Sequence, residues 1–133
     1  MAGSFSDYLE DELLDHVLGG ADYTRPATVY VGLFTAAPTD AGGGTEVSGN
    51  NYSRKEVTNN ATNFPASSGG AKANGTAVTF DTPSGSWGTV VAFGIFDASS
   101  AGNLLMWADF TGQAVTTGNI VTFNAGDLDV TLT

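Results

Sequence analysis

Residues 87–105, WGTVVAFGIFDASSAGNLL, decide the fold that we predict for this chain. The first half of the stretch predicts a β-strand in which both alternating sets of side chains are apolar. One set is Val90, Ala92, Gly94 and Phe96, and the other is Val91, Phe93 and Ile95. A strand that is apolar on both faces is typical of the centre of a sheet or sandwich, where Gly94 would allow close packing. Residues 97–103 then predict a turn in which Asp97 caps the backbone, before a return strand begins at Leu104.

The composition of the whole chain agrees with a β-rich fold. Its 133 residues match the size of one domain, residues 1–133. Apolar runs separated by turn-forming residues predict about eight strands at spacings of about 8–12 residues, which is typical of a sandwich or barrel. Residues 104–110 and 113–116 are predicted as separate strands, and residues 59–75 as an ordered loop. We therefore predict a mainly β chain, with a β-sandwich over residues 28–133.

A single helix is predicted ahead of the sandwich, over residues 4–18. Apolar side chains recur there at helical spacing, Ser4 or Ser6 can cap the start, and a Gly-Gly pair ends the helix. A helix this short is marginal in water by itself, so it must dock either on its own β-domain or on a neighbouring subunit. The apolar stripe is the candidate assembly interface, and its residues are Phe5, Tyr8, Leu9, Leu13 and Val17.

The charge of the chain limits its partners. The formal net charge is −10, from 14 acidic residues against four cations, Arg25, Arg54, Lys55 and Lys72. Four scattered cations cannot neutralise a run of phosphates, so we predict no nucleic-acid partner. A basic patch for anionic lipids and an apolar run long enough to span a bilayer are also missing, so we predict no membrane partner. The chain has no cysteine and no signal-peptide pattern at its N-terminus.

The residue types that support catalysis are few, and we predict no enzyme. His16 is the only histidine, and no nucleophile motif lies near it. Paired carboxylates could hydrolyse a glycan, and the candidates are Asp97, Asp109, Asp127 and Asp129. The segment from Asp97 to Asn103 lacks the clustered acids of a Ca²⁺ loop, so a plain turn is the better interpretation. We accordingly predict no catalytic residue, no cofactor and no metal.

Four blocks of sequence carry a resemblance to a known family. They are YVGLFTAAPT (residues 30–39), NNYSRKEVT (50–58), NGTAVTFDTPSGSWGTVVAFGIFDASSAGNLLMWADF (74–110) and VTTGNIVTFNAGDLDVTL (115–132). With these blocks the chain resembles small bacteriophage virion proteins that are described as tail-fibre-like or as head-decoration (cement) proteins. The resemblance implies a structural subunit present in many copies, without enzymatic activity. It also implies a jelly-roll-like antiparallel β-sandwich.

Within this resemblance, the small size, the acidity, the lack of cysteine and the lack of a fibre-shaft repeat favour a capsid decoration protein. Such a protein binds the assembled outer shell and stabilises it, because each bound copy raises the free energy of disassembly. The implied partners are the major capsid protein and further copies of the chain itself, as a trimer or alternatively as a dimer. The implied location is the outer capsid surface of the virion, after synthesis in the host cytoplasm.

Two other functions stay open. One is a tail-fibre, tail-tip or baseplate component that binds a host surface glycan. It would need exposed aromatic side chains around the loops at residues 36–51 and 59–75, with Tyr52 and Phe64 as candidates. The other is a glycan hydrolase built on the same sandwich, which would depend on Asp97 or Asp109.

Overall fold

Residues 4–132 are described by a computed structural model, and over this range ten β-strands and one α-helix follow one another. In chain order they are β1 (Ser4–Phe5), α1 (Asp7–Val17), β2 (Thr28–Ala36), β3 (Thr45–Glu46), β4 (Lys55–Thr58), β5 (Ala71–Ala73), β6 (Val78–Thr79), β7 (Gly88–Phe96), β8 (Leu104–Val115), β9 (Thr122–Phe123) and β10 (Asp129–Thr131).

The strands form one large sheet and two small ones. The large sheet has six strands in the order β1-β8-β7-β2-β3, with β4 also paired to β2. Strands β5 and β10 form one two-stranded sheet, and β6 and β9 form the other. All of these pairings are antiparallel. The prediction of a mainly β, antiparallel chain with an N-terminal helix is therefore confirmed, whereas the strand order does not confirm the jelly-roll detail.

The main hydrophobic core lies between the large sheet and the two small ones. Phe93 of the large sheet packs edge-on against Phe123 of β9, with ring centroids 5.7 Å apart. Val78 of β6 and Leu128, just before β10, belong to the same buried cluster. A second, smaller cluster of Phe34, Ala92 and Phe96 forms separately. This arrangement of layers is sandwich-like.

Strand β7 lies at the centre of the large sheet, as its sequence predicts. It pairs with β2 on one side and β8 on the other, and residues 92–96 are all buried. The predicted alternation is wrong at one point, because the register shifts between Val90 and Ala92. Val90 consequently joins the main core with Phe93, while Ala92 joins the smaller cluster. A bulge of this kind is a feature of pairing between strands, and the sequence of a single strand does not reveal it.

Two segments differ from the predicted strands. Residues 104–110 and 113–116, predicted as separate strands, form one long strand over Leu104–Val115. The reason is continued pairing with β7, in which Val90 lies opposite Gln113 and Gly88 opposite Val115. The predicted loop at residues 59–75 contains β5, whose three residues pair with β10 near the end of the chain.

The helix begins later than predicted. Ser4 and Phe5 are extended and pair with Trp107 and Met106, so they form an edge strand of the large sheet. Ser6 is the N-cap, and its hydroxyl oxygen accepts a hydrogen bond from the backbone N–H of Leu9 at 3.2 Å. The helix therefore runs from Asp7 to Val17 rather than from residue 4 to residue 18. Pairing with a long neighbouring strand outweighs the local helical pattern of the first residues.

Candidate functional site

The five predicted interface residues do not form one free surface. Leu9 is buried in the main core, and Phe5, Tyr8 and Leu13 pack against that core with part of their surface exposed. Val17 differs from the other four, with 73% of its surface exposed. Phe5 also lies on β1 rather than on the helix. Of the two open alternatives for the helix, docking on its own β-domain therefore accounts for the packing of Leu9 and Leu13.

The C-terminal end of the helix carries an exposed apolar surface, which we call the helix ridge. It consists of Leu14, Val17 and Leu18, which are 59%, 73% and 77% exposed. Val17 and the C-cap residue Leu18 lie three and four positions after Leu14, so both are near Leu14 on the surface of the last helical turn. Single exposed apolar residues are ordinary, but adjacent ones commonly mark an interaction surface. Of the predicted interface residues, only Val17 belongs to this ridge.

An apolar groove with a volume of about 370 Å³ lies beside the helix. Its lining comes from the helix, from β8, from β5 and β10, and from the segment ahead of β2. Apolar residues dominate this lining, and examples are Leu13, Phe64, Met106, Val130 and Leu132. None of the three ridge residues contributes to it, so the ridge and the groove are separate surfaces of one molecule.

Two cations lie along this groove. Arg25 donates a hydrogen bond to the carbonyl of Asn59 at 2.9 Å, and Lys72 donates one to the carbonyl of Pro65 at 2.8 Å. Neither of them pairs with a carboxylate within residues 4–132. The other two cations of the chain do form ion pairs, Arg54 with Glu46 and Lys55 with Asp81. The groove therefore holds both of the cations whose charge is not matched inside the described part of the chain.

The helix has the opposite charge. Its sequence DYLEDELLDHV contains five carboxylates, Asp7, Glu10, Asp11, Glu12 and Asp15. None of them forms a salt bridge in the portion of the chain that the structure covers. Four of the five are exposed, and Glu12 is half-buried. The ridge is thus an apolar patch on a strongly acidic helix.

A polar site surrounds Arg54, and it was not predicted from the sequence. The Arg54 guanidinium donates to both carboxylate oxygens of Glu46, at 2.9 and 2.8 Å. It also donates to the carbonyls of Ala98 and Ala101, at 2.9 and 2.8 Å, and lies over the ring of Phe96. These bonds hold the predicted turn after β7 against the start of β4. A cleft of about 560 Å³ borders the group, but the Arg54 and Glu46 side chains are already paired with each other.

Three of the candidate catalytic side chains, those of Asp97, Asp127 and His16, are engaged in local structure. Both oxygens of Asp97 accept hydrogen bonds from Asn103, at 2.7 and 2.8 Å, as expected for a turn cap. Asp127 accepts from the backbone N–H of Asn124 at 2.8 Å. His16 Nδ1 accepts from the backbone N–H of Tyr23 at 3.1 Å. Over residues 4–132, no group of three or more metal-ligating side chains is brought together.

Tyr52 and Phe64, the aromatic candidates for a glycan platform, both pack against the protein interior. Tyr52 stacks on Phe80 and packs edge-on against Trp87. Its hydroxyl donates to Glu46 at 2.7 Å and accepts from the backbone N–H of Leu33 at 2.9 Å. Burial and the hydrogen bond to Glu46 raise the pKa of Tyr52 well above its ordinary value. Phe64 packs against the main core with part of its surface exposed.

Comparison with known protein families shows the family of this chain. A family model described as podophage GP4 fiber I protein gp80 matches residues 4–131. The chain belongs to this family. The match includes α1 and all ten strands of the fold, and it confirms the resemblance to small phage virion structural proteins. A search of curated proteins found no match to the chain. No helix within the described range is long and apolar enough to cross a membrane.

Proposed function

We propose that this protein is a structural subunit of a podophage tail fibre. The observation that carries the proposal is the match of a podophage fibre family over residues 4–131, which is almost the whole chain. The name of that family favours the tail-fibre alternative over the capsid decoration protein that the sequence first suggested. Binding to the major capsid protein and a place on the outer capsid surface belong to the decoration hypothesis, and the experiment below separates the two.

The packing of the chain supports a structural part in the fibre. Three long strands, β2, β7 and β8, form the centre of the large sheet. Of the aromatic residues proposed for glycan contact, Tyr52 is hydrogen-bonded to Glu46 and both Tyr52 and Phe64 pack against the core. The carboxylate of Asp97 holds a turn. We therefore assign the chain to the body of the fibre rather than to its receptor-binding surface or to a glycan hydrolase.

The position of the chain on the particle tests the proposal. Purified virions would be labelled with gold-conjugated antibodies raised against the purified protein and imaged by electron microscopy, with pre-immune antibodies as the control. We expect label on the tail appendages. Label spread over the head shell would overturn the proposal and support capsid decoration. Cross-linking of the same virions, followed by mass spectrometry, should join this chain to tail proteins and not to the major capsid protein.

A further inference from the structure

We propose that the apolar groove is filled by the helix ridge of a second copy of this chain. The occupant would be Leu14, Val17 and Leu18, and the receiving surface would be the groove beside Leu13, Met106 and Val130. This inference does not depend on where in the virion the protein lies. It concerns the purified chain, so it can fail or succeed independently of the tail-fibre proposal.

The apolar surfaces of the ridge and the groove complement each other. The ridge exposes three large aliphatic side chains to water, and the groove is lined mainly by apolar groups. Burying both surfaces together removes apolar area from water, which contributes about 25 cal/mol per Å². The ridge does not fill the groove of its own chain, because none of the ridge residues lines that groove. A second copy presents the same ridge at the end of a short helix.

Charge identifies the second copy as the occupant. The chain has a net charge of −10, so two copies repel each other at most orientations. Arg25 and Lys72 line the groove without a carboxylate partner in residues 4–132. The incoming helix carries exposed Glu10, Asp11 and Asp15 around its ridge. This chain therefore supplies both halves of the match: an apolar ridge flanked by acids, and an apolar groove flanked by cations.

The symmetry of the assembly follows from having two different surfaces in each contact. When one surface of each copy binds a different surface of the next, the contacts can close into a ring. A trimer of this type uses three ridge-to-groove contacts, and a dimer related by a twofold axis uses two. Because either arrangement is closed, every ridge occupies a groove and every groove is filled.

The first test removes the ridge without disturbing the fold. The purified full-length protein would be measured by light scattering after size exclusion and by sedimentation over a dilution series. We expect a trimer or a dimer. For a Val17→Ser/Leu18→Ser variant, the dissociation constant of this oligomer should be on the order of 100-fold higher. The matched control is Ile120→Ser, which alters another large apolar residue that is 54% exposed and lies outside both surfaces. A monomeric wild-type protein, or equal loss in the control, would overturn the inference.

The second test mixes two defective variants. Arg25→Glu/Lys72→Glu damages the groove and keeps the ridge, whereas the ridge variant keeps the groove. Each alone should be monomeric, but a mixture of the two should form a one-to-one pair through the single intact contact. Lys55→Glu is the matched charge control, because Lys55 is already paired with Asp81 away from the groove. Failure of the mixture to pair, with both variants folded by circular dichroism, would refute the ridge-to-groove contact.

Discussion

The Arg54 guanidinium lies 3.5 Å above the centre of the Phe96 ring while it binds both carboxylate oxygens of Glu46. Phe96 is the last residue of the central strand, and Arg54 lies just before β4. Nη1 of the same guanidinium donates hydrogen bonds to the backbone carbonyls of Ala98 and Ala101. One side chain just before β4 thus connects the end of the central strand, the turn that follows it, and β3.

Loss of Arg54 should destabilise the protein strongly. The Arg54 side chain is only 7% exposed and that of Glu46 is 25% exposed, so Arg54→Ala leaves a carboxylate without its partner in a partly dry site. Removing one member of a buried pair costs about 3–5 kcal/mol of the free energy of unfolding. Urea denaturation measures this loss. Lys55→Ala, which removes a pair with 40% and 56% exposed side chains, should cost less than about 1 kcal/mol. Equal effects of the two changes would contradict the structural role of Arg54.

Stability should fall in alkaline solution because of Tyr52. Its pKa is raised above the ordinary 10.0, first by burial and then by the hydrogen bond to Glu46. Below pH 10 both states keep the phenol proton; above it, the unfolded state loses that proton while the folded state retains it. The free energy of unfolding should therefore decrease by up to about 1.4 kcal/mol per pH unit above pH 10.

Urea unfolding between pH 9 and pH 11.5 measures this decrease, and Tyr52→Phe should make it smaller. Tyr8 and Tyr23, whose pKa values burial also raises, account for part of the remainder. An unchanged pH profile in Tyr52→Phe would show that Tyr52 is not the group responsible.

Leu9 and Leu14 should respond very differently to truncation. Leu9 is 5% exposed within the main core, whereas Leu14 is 59% exposed on the ridge. Leu9→Ala should lower the free energy of unfolding by about 2–5 kcal/mol, because it opens a cavity. Leu14→Ala should change it by about 0.5 kcal/mol or less, when measured at a concentration where the protein is monomeric. Comparable losses from the two substitutions would show that the helix does not dock through Leu9.

A side chain at Gly94 should not fit. A Cβ there would lie 2.8 Å from Cε2 of Phe34 and 2.9 Å from Cδ1 of Leu104. Phe34 is 3% exposed and packed against Phe96, so it has little room to move. Gly94→Ala should therefore cost about 1–3 kcal/mol, which a thermal or urea melt detects. A neutral result would mean that the smaller cluster can repack.

The buried side chain of Asn74 should stabilise the segment that leads into β10. It is 4% exposed, and its amide donates to the carbonyls of Thr76 and Asn124. Its Oδ1 accepts from the backbone N–H groups of Gly126 and Leu128. Asn74→Ala removes these four hydrogen bonds and leaves the buried backbone N–H of Leu128 without its side-chain partner, so it should cost about 1–3 kcal/mol. The control, Asn119→Ala, removes an exposed contact with Thr116 and should cost about 0.5 kcal/mol or less.

The sequence predicted local patterns better than connections between distant segments. The central strand, the turn capped by Asp97 and the helix ahead of the sheet follow from side-chain alternation, helical spacing and turn chemistry, and the structure contains all three. The shift at Val90, the pairing of β5 with β10 and the extended Ser4–Phe5 segment depend on partner strands far along the chain. No local pattern identifies those partners.

The candidate interaction surfaces likewise depend partly on local sequence and partly on the tertiary fold. The amino-acid sequence by itself determined that this helix is apolar along one stripe and acidic elsewhere, because both properties reside in neighbouring residues. Only the tertiary structure decided that Leu9 lies in the core while Val17 remains in water, because burial depends on where the β-domain ends beneath the helix. Likewise, only folding brings Arg25 and Lys72 together along one groove and joins Arg54 to Glu46. The charges and the apolar spacing can be read from neighbouring residues in the sequence. Which of these residues lie close together at the surface depends on the tertiary fold.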